Sequence, residues 1–153
     1  ASPHISRLTM RSLLLLLVFL GVAYGTRVNF NNRCNRQVQV IRTENGQGPT
    51  QQFLLNSGQR NGADFWSNGM NFKDGWNGRT LAEFSFSSWN SMDFYDLSVI
   101  VGYDTAMQIS TDRGGPTVTC RNSGCPDAYL YPTDDSKTHG VSTGGTFTIT
   151  FCP

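Results

Sequence analysis

The sequence predicts an all-β protein, a flattened β-sandwich or barrel of about ten short antiparallel strands with little or no helix. Three observations predict it. Asn-Gly, the hairpin dipeptide whose two residues both tolerate φ > 0, occurs at Asn45-Gly46, Asn61-Gly62, Asn68-Gly69 and Asn77-Gly78. Between such turns, apolar and polar residues alternate with the period of a strand. Within residues 26–153, no segment of helix length keeps apolar residues at i, i+3, i+4 and i+7 without a Gly or Pro break.

From the N-terminus, Met10-Arg11 precedes the apolar block Leu13–Leu20, and Ala23-Tyr24-Gly25 places small residues at −3 and −1. This pattern predicts a secretory leader over residues 10–25, cleaved before Thr26, with residues 1–9 as upstream sequence. The apolar block is too short to cross about 30 Å of hydrocarbon, so stable membrane insertion is not expected. Residues 26–153 are expected to form a single domain with one core.

The first strand is read in Val28–Asn32, where Val28 and Phe30 alternate with Asn29 and Asn31. Gln37–Ile41 and the terminal Thr146–Phe151 alternate in the same way. In Leu81–Ser87, Ala82, Phe84 and Phe86 share one face, leaving Glu83, Ser85 and Ser87 on the other. In Asp93–Val101, Tyr95, Leu97, Val99 and Val101 form the apolar face, opposite Asp96 and Ser98. Val101 is therefore expected in the core. Trp66, Trp76 and Trp89 are expected to fill the core or cover a long loop, the commoner fate of large aromatics. The alternative is a stacking platform for sugar rings. Residues 134–145, including His139, read as a loop.

Glu83 and Asp96 are the most informative residues of the chain. Carboxylates within strands rich in Phe, Leu and Ser suggest a carboxylate-lined groove on a β scaffold. Paired carboxylates can hydrolyse glycosidic bonds, one as general acid and the other as base or nucleophile. They can equally bind sugar hydroxyls or cations, or be satisfied by backbone N–H groups.

Bulk charge excludes other classes. The sequence carries 12 basic and 11 acidic side chains, without a basic stripe for nucleic acid or an anionic membrane surface. Asn-x-Ser/Thr sequons are absent, as are phosphate-loop and dinucleotide fingerprints, and His139 has no nucleophile motif nearby to build a triad. No cofactor or metal is expected, since the Cys spacing does not suit zinc. A monomer is expected. Cys34, Cys120, Cys125 and Cys152 suggest two disulfides, with three possible connectivities. Pairing Cys34 with Cys152 would close the longest loop, about 4–5 kcal/mol in the chain-entropy model, and leave Cys120 with Cys125. That connectivity is favoured over the two crossed ones.

Several motifs then occur in order: Asn32-Arg33-Cys34, Leu55-Asn56-Ser57-Gly58, Leu81-Ala82-Glu83-Phe84, Asp93-Phe94-Tyr95-Asp96-Leu97-Ser98, Cys125-Pro126-Asp127-Ala128-Tyr129 and Phe151-Cys152-Pro153. Together they resemble the thaumatin-like family of osmotin and pathogenesis-related defence proteins, over nearly the whole of residues 26–153. The resemblance implies a first-to-last disulfide, Cys34–Cys152. It also implies a short form lacking the family's inserted second domain, its base stapled by Cys120–Cys125. One further bridge is missing both halves, expected around Asp112–Gly115 and Lys137–Ser142. The resemblance assigns Glu83, Asp96 and Asp127 to an acidic cleft, with a fourth acid replaced by Val101 and the family's Arg by Asp64. It implies extracellular binding of β-1,3-glucan or a similar polysaccharide, with antifungal action, or weak endo-glucanase activity in which Glu83 is the acid and Asp96 the base or nucleophile. A non-catalytic structural role is the remaining reading.

Overall fold

The computed structural model describes residues 25–134 and 136–153. Apart from Gly25, the expected leader and the stretch before it lie outside the described residues. The strands are β1 (Thr26–Asn32), β2 (Val38–Glu44), β3 (Thr50–Leu55), β4 (Arg60–Phe65), β5 (Met70–Asp74) and β6 (Leu81–Ser85). They continue with β7 (Met92–Ser98), β8 (Met107–Thr111), β9 (Val118–Cys120), β10 (Ala128–Tyr129), β11 (His139–Ser142) and β12 (Thr146–Phe151). A 3-10 turn at Trp89–Ser91 is the helical content of the described residues.

Two sheets form the sandwich. One is ordered β4-β1-β12-β8-β9. The other runs β10-β7-β6-β5-β2-β3, and β11 pairs with the Met92–Tyr95 stretch of β7. The expected all-β sandwich is what forms, with β1–β12 and β10–β7 running parallel among otherwise antiparallel pairs. The parallel pairing of first and last strands has a direct consequence. Asn32 lies opposite Phe151, so both strands finish at the same edge and Cys34 meets Cys152 just beyond, at a Cα–Cα distance of 5.0 Å. Cys120 is bonded to Cys125.

The core is an aromatic line drawn from both sheets. Phe30 and Phe147 come from the five-stranded sheet and meet Phe72, Phe84 and Tyr95 of the other. Ring centroids lie 4.9 Å apart for Phe30–Phe72, 5.3 Å for Phe84–Phe147 and 5.1 Å for Tyr95–Phe147, all tilted or edge-on. Such pairs add about 0.5–1.5 kcal/mol each beyond burial. Because inward residues alternate with outward ones, this packing fixes which side chains of β5, β6 and β7 reach the outer face. Asp93, fully buried at the start of β7, accepts from Thr26 Oγ1 at 2.8 Å, Ser87 N at 2.7 Å and Thr143 Oγ1 at 2.9 Å. One carboxylate thus ties the first strand to two loops.

Four expectations are corrected. Val101 is not in the core: β7 ends at Ser98, the chain turns through Gly102 N donating to Val99 O, and Val101 is 62% exposed. The apolar alternation overran the turn. Trp66, Trp76 and Trp89 are 65%, 48% and 77% exposed, because the phenylalanines already fill the interior. Asn61-Gly62 is not a turn but lies inside β4, where a Cβ on Gly62 would collide with Asn29 Oδ1. Finally, residues 139–142 form β11, held by pairing with β7 rather than by apolar alternation, which only Val141 supplies.

Candidate binding groove

The outer face of the larger sheet carries a straight polar row. Thr43 pairs with Asn71, Asn71 with Glu83, and Glu83 with Asp96, one residue from each of β2, β5, β6 and β7. In-register neighbours on one face bring their Cβ atoms to about 4.5–5.5 Å, so the four side chains form a continuous ladder. Beneath it, Met70, Phe84 and Tyr95 are the buried residues of the adjoining inward row. A bulge at Val40/Ile41 shifts the β2–β3 register on the far side of the row.

The ladder floors a pocket of about 300 Å³, within the usual range for small-ligand sites. Glu44, Asn45, Gly69, Ser85, Phe94 and Thr138 complete its walls. Glu44 is paired with Arg42 at 3.2 Å, and the Arg42 guanidinium lies 5.5 Å from the centre of the Phe65 ring. Thr138 Oγ1 donates to Asp96 Oδ2 at 3.2 Å.

Glu83 and Asp96 are directly paired across β6 and β7, and their carboxyls act on each other electrostatically. Two carboxylates this close and largely buried cannot both ionise cheaply. Burial, then the charge of Glu83, pushes Asp96 up to about 8 from its ordinary 3.8. Burial also raises Glu83, while the Asp96 and Ser98 side chains oppose that rise. The two titrate as one unit, so the proton held toward neutral pH belongs to the pair rather than to either residue. Two acceptors in the row remain unusual. Asn71 Oδ1 and Asp96 Oδ1 are shielded from solvent and receive no donor from the described residues, apart from the proton shared within the pair.

Of the residues expected in the cleft, Glu83 and Asp96 are paired in the pocket floor, and Asp127 stands one residue before β10, the strand beside β7. Asp127 precedes β10, its Oδ2 accepts from Thr119 N at 2.9 Å, and it does not line the pocket. Asp64 lies on the other sheet, paired with Arg27 at 3.4 Å. No tryptophan among the described residues lines the groove. Thr43, Glu44, Asn71 and Thr138 were not anticipated. Asn71 could have been found, since Met70-Asn71-Phe72 alternates in step with Ala82-Glu83-Phe84. No group of three or more His, Cys, Asp or Glu side chains that could hold a metal ion occurs among the described residues.

No protein-family model matches the chain. A thaumatin-like protein of Oryza sativa subsp. japonica is 35% identical over 179 aligned residues, covering 100% of this chain and 99% of that protein. The fold is similar to the protein elicitor MoHrip2 from Magnaporthe oryzae, with TM-score 0.67, 23% identity, and coverage of 84% of this chain and 100% of that one. It is also similar to the thaumatin-like xylanase inhibitor TLXI, with TM-score 0.64, 19% identity, and coverage of 82% and 99%. At those identities the two structures speak for the fold alone. The full-length similarity to the rice protein, with the sandwich and its first-to-last disulfide, makes this chain a member of the thaumatin-like family.

Proposed function

We propose that this chain is a secreted, defence-related protein that binds β-1,3-glucan or a similar neutral polysaccharide in the groove floored by Thr43, Asn71, Glu83 and Asp96. One observation carries the reading. Asn71 Oδ1, in the ladder that floors the pocket, is a shielded acceptor with no donor among the described residues. A buried acceptor left unmet costs about 1–3 kcal/mol, so the groove favours a ligand rich in O–H donors. A polyol chain is such a ligand, and Phe94 at the wall offers an apolar face for a sugar ring. Two disulfides suit an oxidising compartment.

Hydrolysis is less well supported. A retaining pair stands about 5–5.5 Å apart and an inverting pair about 6.5–9.5 Å. Glu83 and Asp96 are directly paired residues of adjacent strands whose carboxyls act on each other, an arrangement that favours binding over an opposed acid and base. Pull-down on insoluble β-1,3-glucan tests the proposal: wild type is retained and the Glu83→Gln/Asp96→Ala double variant is released, with equal thermal stability checked in parallel. Equal retention of both would remove the groove. New reducing ends from soluble glucan, lost on Glu83→Gln, would restore the hydrolase reading.

A further inference from the structure

The outer face of the five-stranded sheet is as ordered as the acidic groove and opposite in charge. Reading across the strands, Arg60 pairs with Asn31, Asn31 with Thr150, Thr150 with Gln108 and Gln108 with Thr119. The next outward row holds Gly62, Asn29, Thr148 and Ser110. Both rows are wholly polar. The smaller residues of the second row leave a trough of about 590 Å³, with no acidic side chain in its lining. Four strands at about 4.8 Å spacing give it roughly 14 Å of length across the sheet.

Three arginines surround this trough. Arg27 is held by Asn29 Oδ1 at 3.2 Å and by Asp64 at 3.4 Å. Arg60 donates its Nε to Asn31 Oδ1 at 3.3 Å, which aims the guanidinium and leaves its Nη pair unused among the described residues. Arg33, one step past β1, is exposed and has no ion pair among the described residues. Gln108 Nε2 is likewise anchored on Thr119 Oγ1 at 2.9 Å. Arg60 and Gln108 are thus positioned before any ligand arrives, and the exposed Arg33 side chain stays available to one.

We infer that this face binds an acidic polysaccharide, a chain of uronate sugars whose carboxylates fork onto Arg33 and Arg60 while its hydroxyls meet Asn29, Thr148 and Ser110. Charge complementarity selects the occupant. A planar carboxylate matches the guanidinium fork in bidentate fashion. The amide and hydroxyl grid gives sugar hydroxyls both donors and acceptors. Nucleic acid is disfavoured because no aromatic side chain other than the inward-facing Phe30 borders the trough for base stacking. A protein partner is disfavoured for want of the apolar anchors that make hot spots.

Binding of soluble polygalacturonate, by calorimetry at low and moderate salt, tests the inference. Wild type is expected to bind it, and to lose binding to the fully methyl-esterified polymer. Arg33→Gln/Arg60→Gln is expected to weaken affinity about tenfold or more, the loss of one or two charge-assisted contacts, with unchanged unfolding temperature. Glu83→Gln/Asp96→Ala is expected to bind the uronate polymer as wild type does, which separates this face from the acidic groove. Unchanged affinity in the arginine variant, equal binding of the methyl ester, or loss in the groove variant would each overturn it. Equal binding of dextran sulfate would overturn the carboxylate assignment, leaving a general polyanion patch.

Discussion

Replacing Glu83 by Gln should make the folded protein more stable in base, not less. Asp96 stands at about 8 against an ordinary 3.8, because of burial first and Glu83 second. Its folded-state value lies above the unfolded one, so the folded chain holds a proton that the unfolded chain has released. Wild-type stability therefore declines as pH rises between roughly 4 and 8, and levels off above that window. At about 1.36 kcal/mol for each pH unit, the whole window corresponds to something on the order of 5 kcal/mol. Burial survives the substitution, whereas the part of the rise supplied by the Glu83 charge is lost. The amide introduced at this position would also donate an N–H to Asp96. Urea unfolding with the disulfides intact, at about pH 4 and about pH 9, should show the two proteins close in acid and the variant ahead in base. Parallel pH profiles for both proteins would refute the shared-proton pair.

Asp93→Ala removes the acceptor for Thr26, Ser87 and Thr143 and should cost about 3 kcal/mol or more in urea unfolding; a smaller loss than about 1 kcal/mol would deny the clamp its role. The two disulfides should differ: with sequence separations of 118 and 5, Cys34→Ser/Cys152→Ser should cost about 5 kcal/mol and Cys120→Ser/Cys125→Ser about 2 kcal/mol. The reverse order would contradict the long-loop assignment. Val101→Asp should change stability by no more than about 0.5 kcal/mol, since the side chain is 62% exposed, whereas a core position would lose several.

Where sequence and structure agree, the cause is local. Alternation in Val28–Asn32, Leu81–Ser85 and Thr146–Phe151 directly encodes which side chains face inward, so the strands and the inward phenylalanines could be read. The opposition of Glu83 and Asp96 followed from two alternating segments that proved to be neighbours. Pairing across the molecule is different. Nothing in Thr43 or Asn71 states that β2 lies beside β5, which is why half of the ladder went unread. Alternation also cannot mark its own end: Val99 and Val101 look alike in sequence, yet one is 6% and the other 62% exposed because the chain turns between them. Asn61-Gly62 shows the converse, a strong turn signal overruled by β1, against which Gly62 makes room for Asn29. Asp127 was marked by the family pattern alone, and its Oδ2 accepts from Thr119 N just before β10.

The central claim is that a neutral glucan lies along the Thr43–Asn71–Glu83–Asp96 ladder. Titration of the isotopically labelled protein with soluble β-1,3-glucan oligosaccharides, followed by NMR, tests this most directly. The predicted result is a contiguous set of shifts in β5, β6 and β7, led by the Asn71 side-chain amide, with the Arg60 and Thr148 face silent. Shifts confined to that opposite face, or none at saturating oligosaccharide, would contradict it.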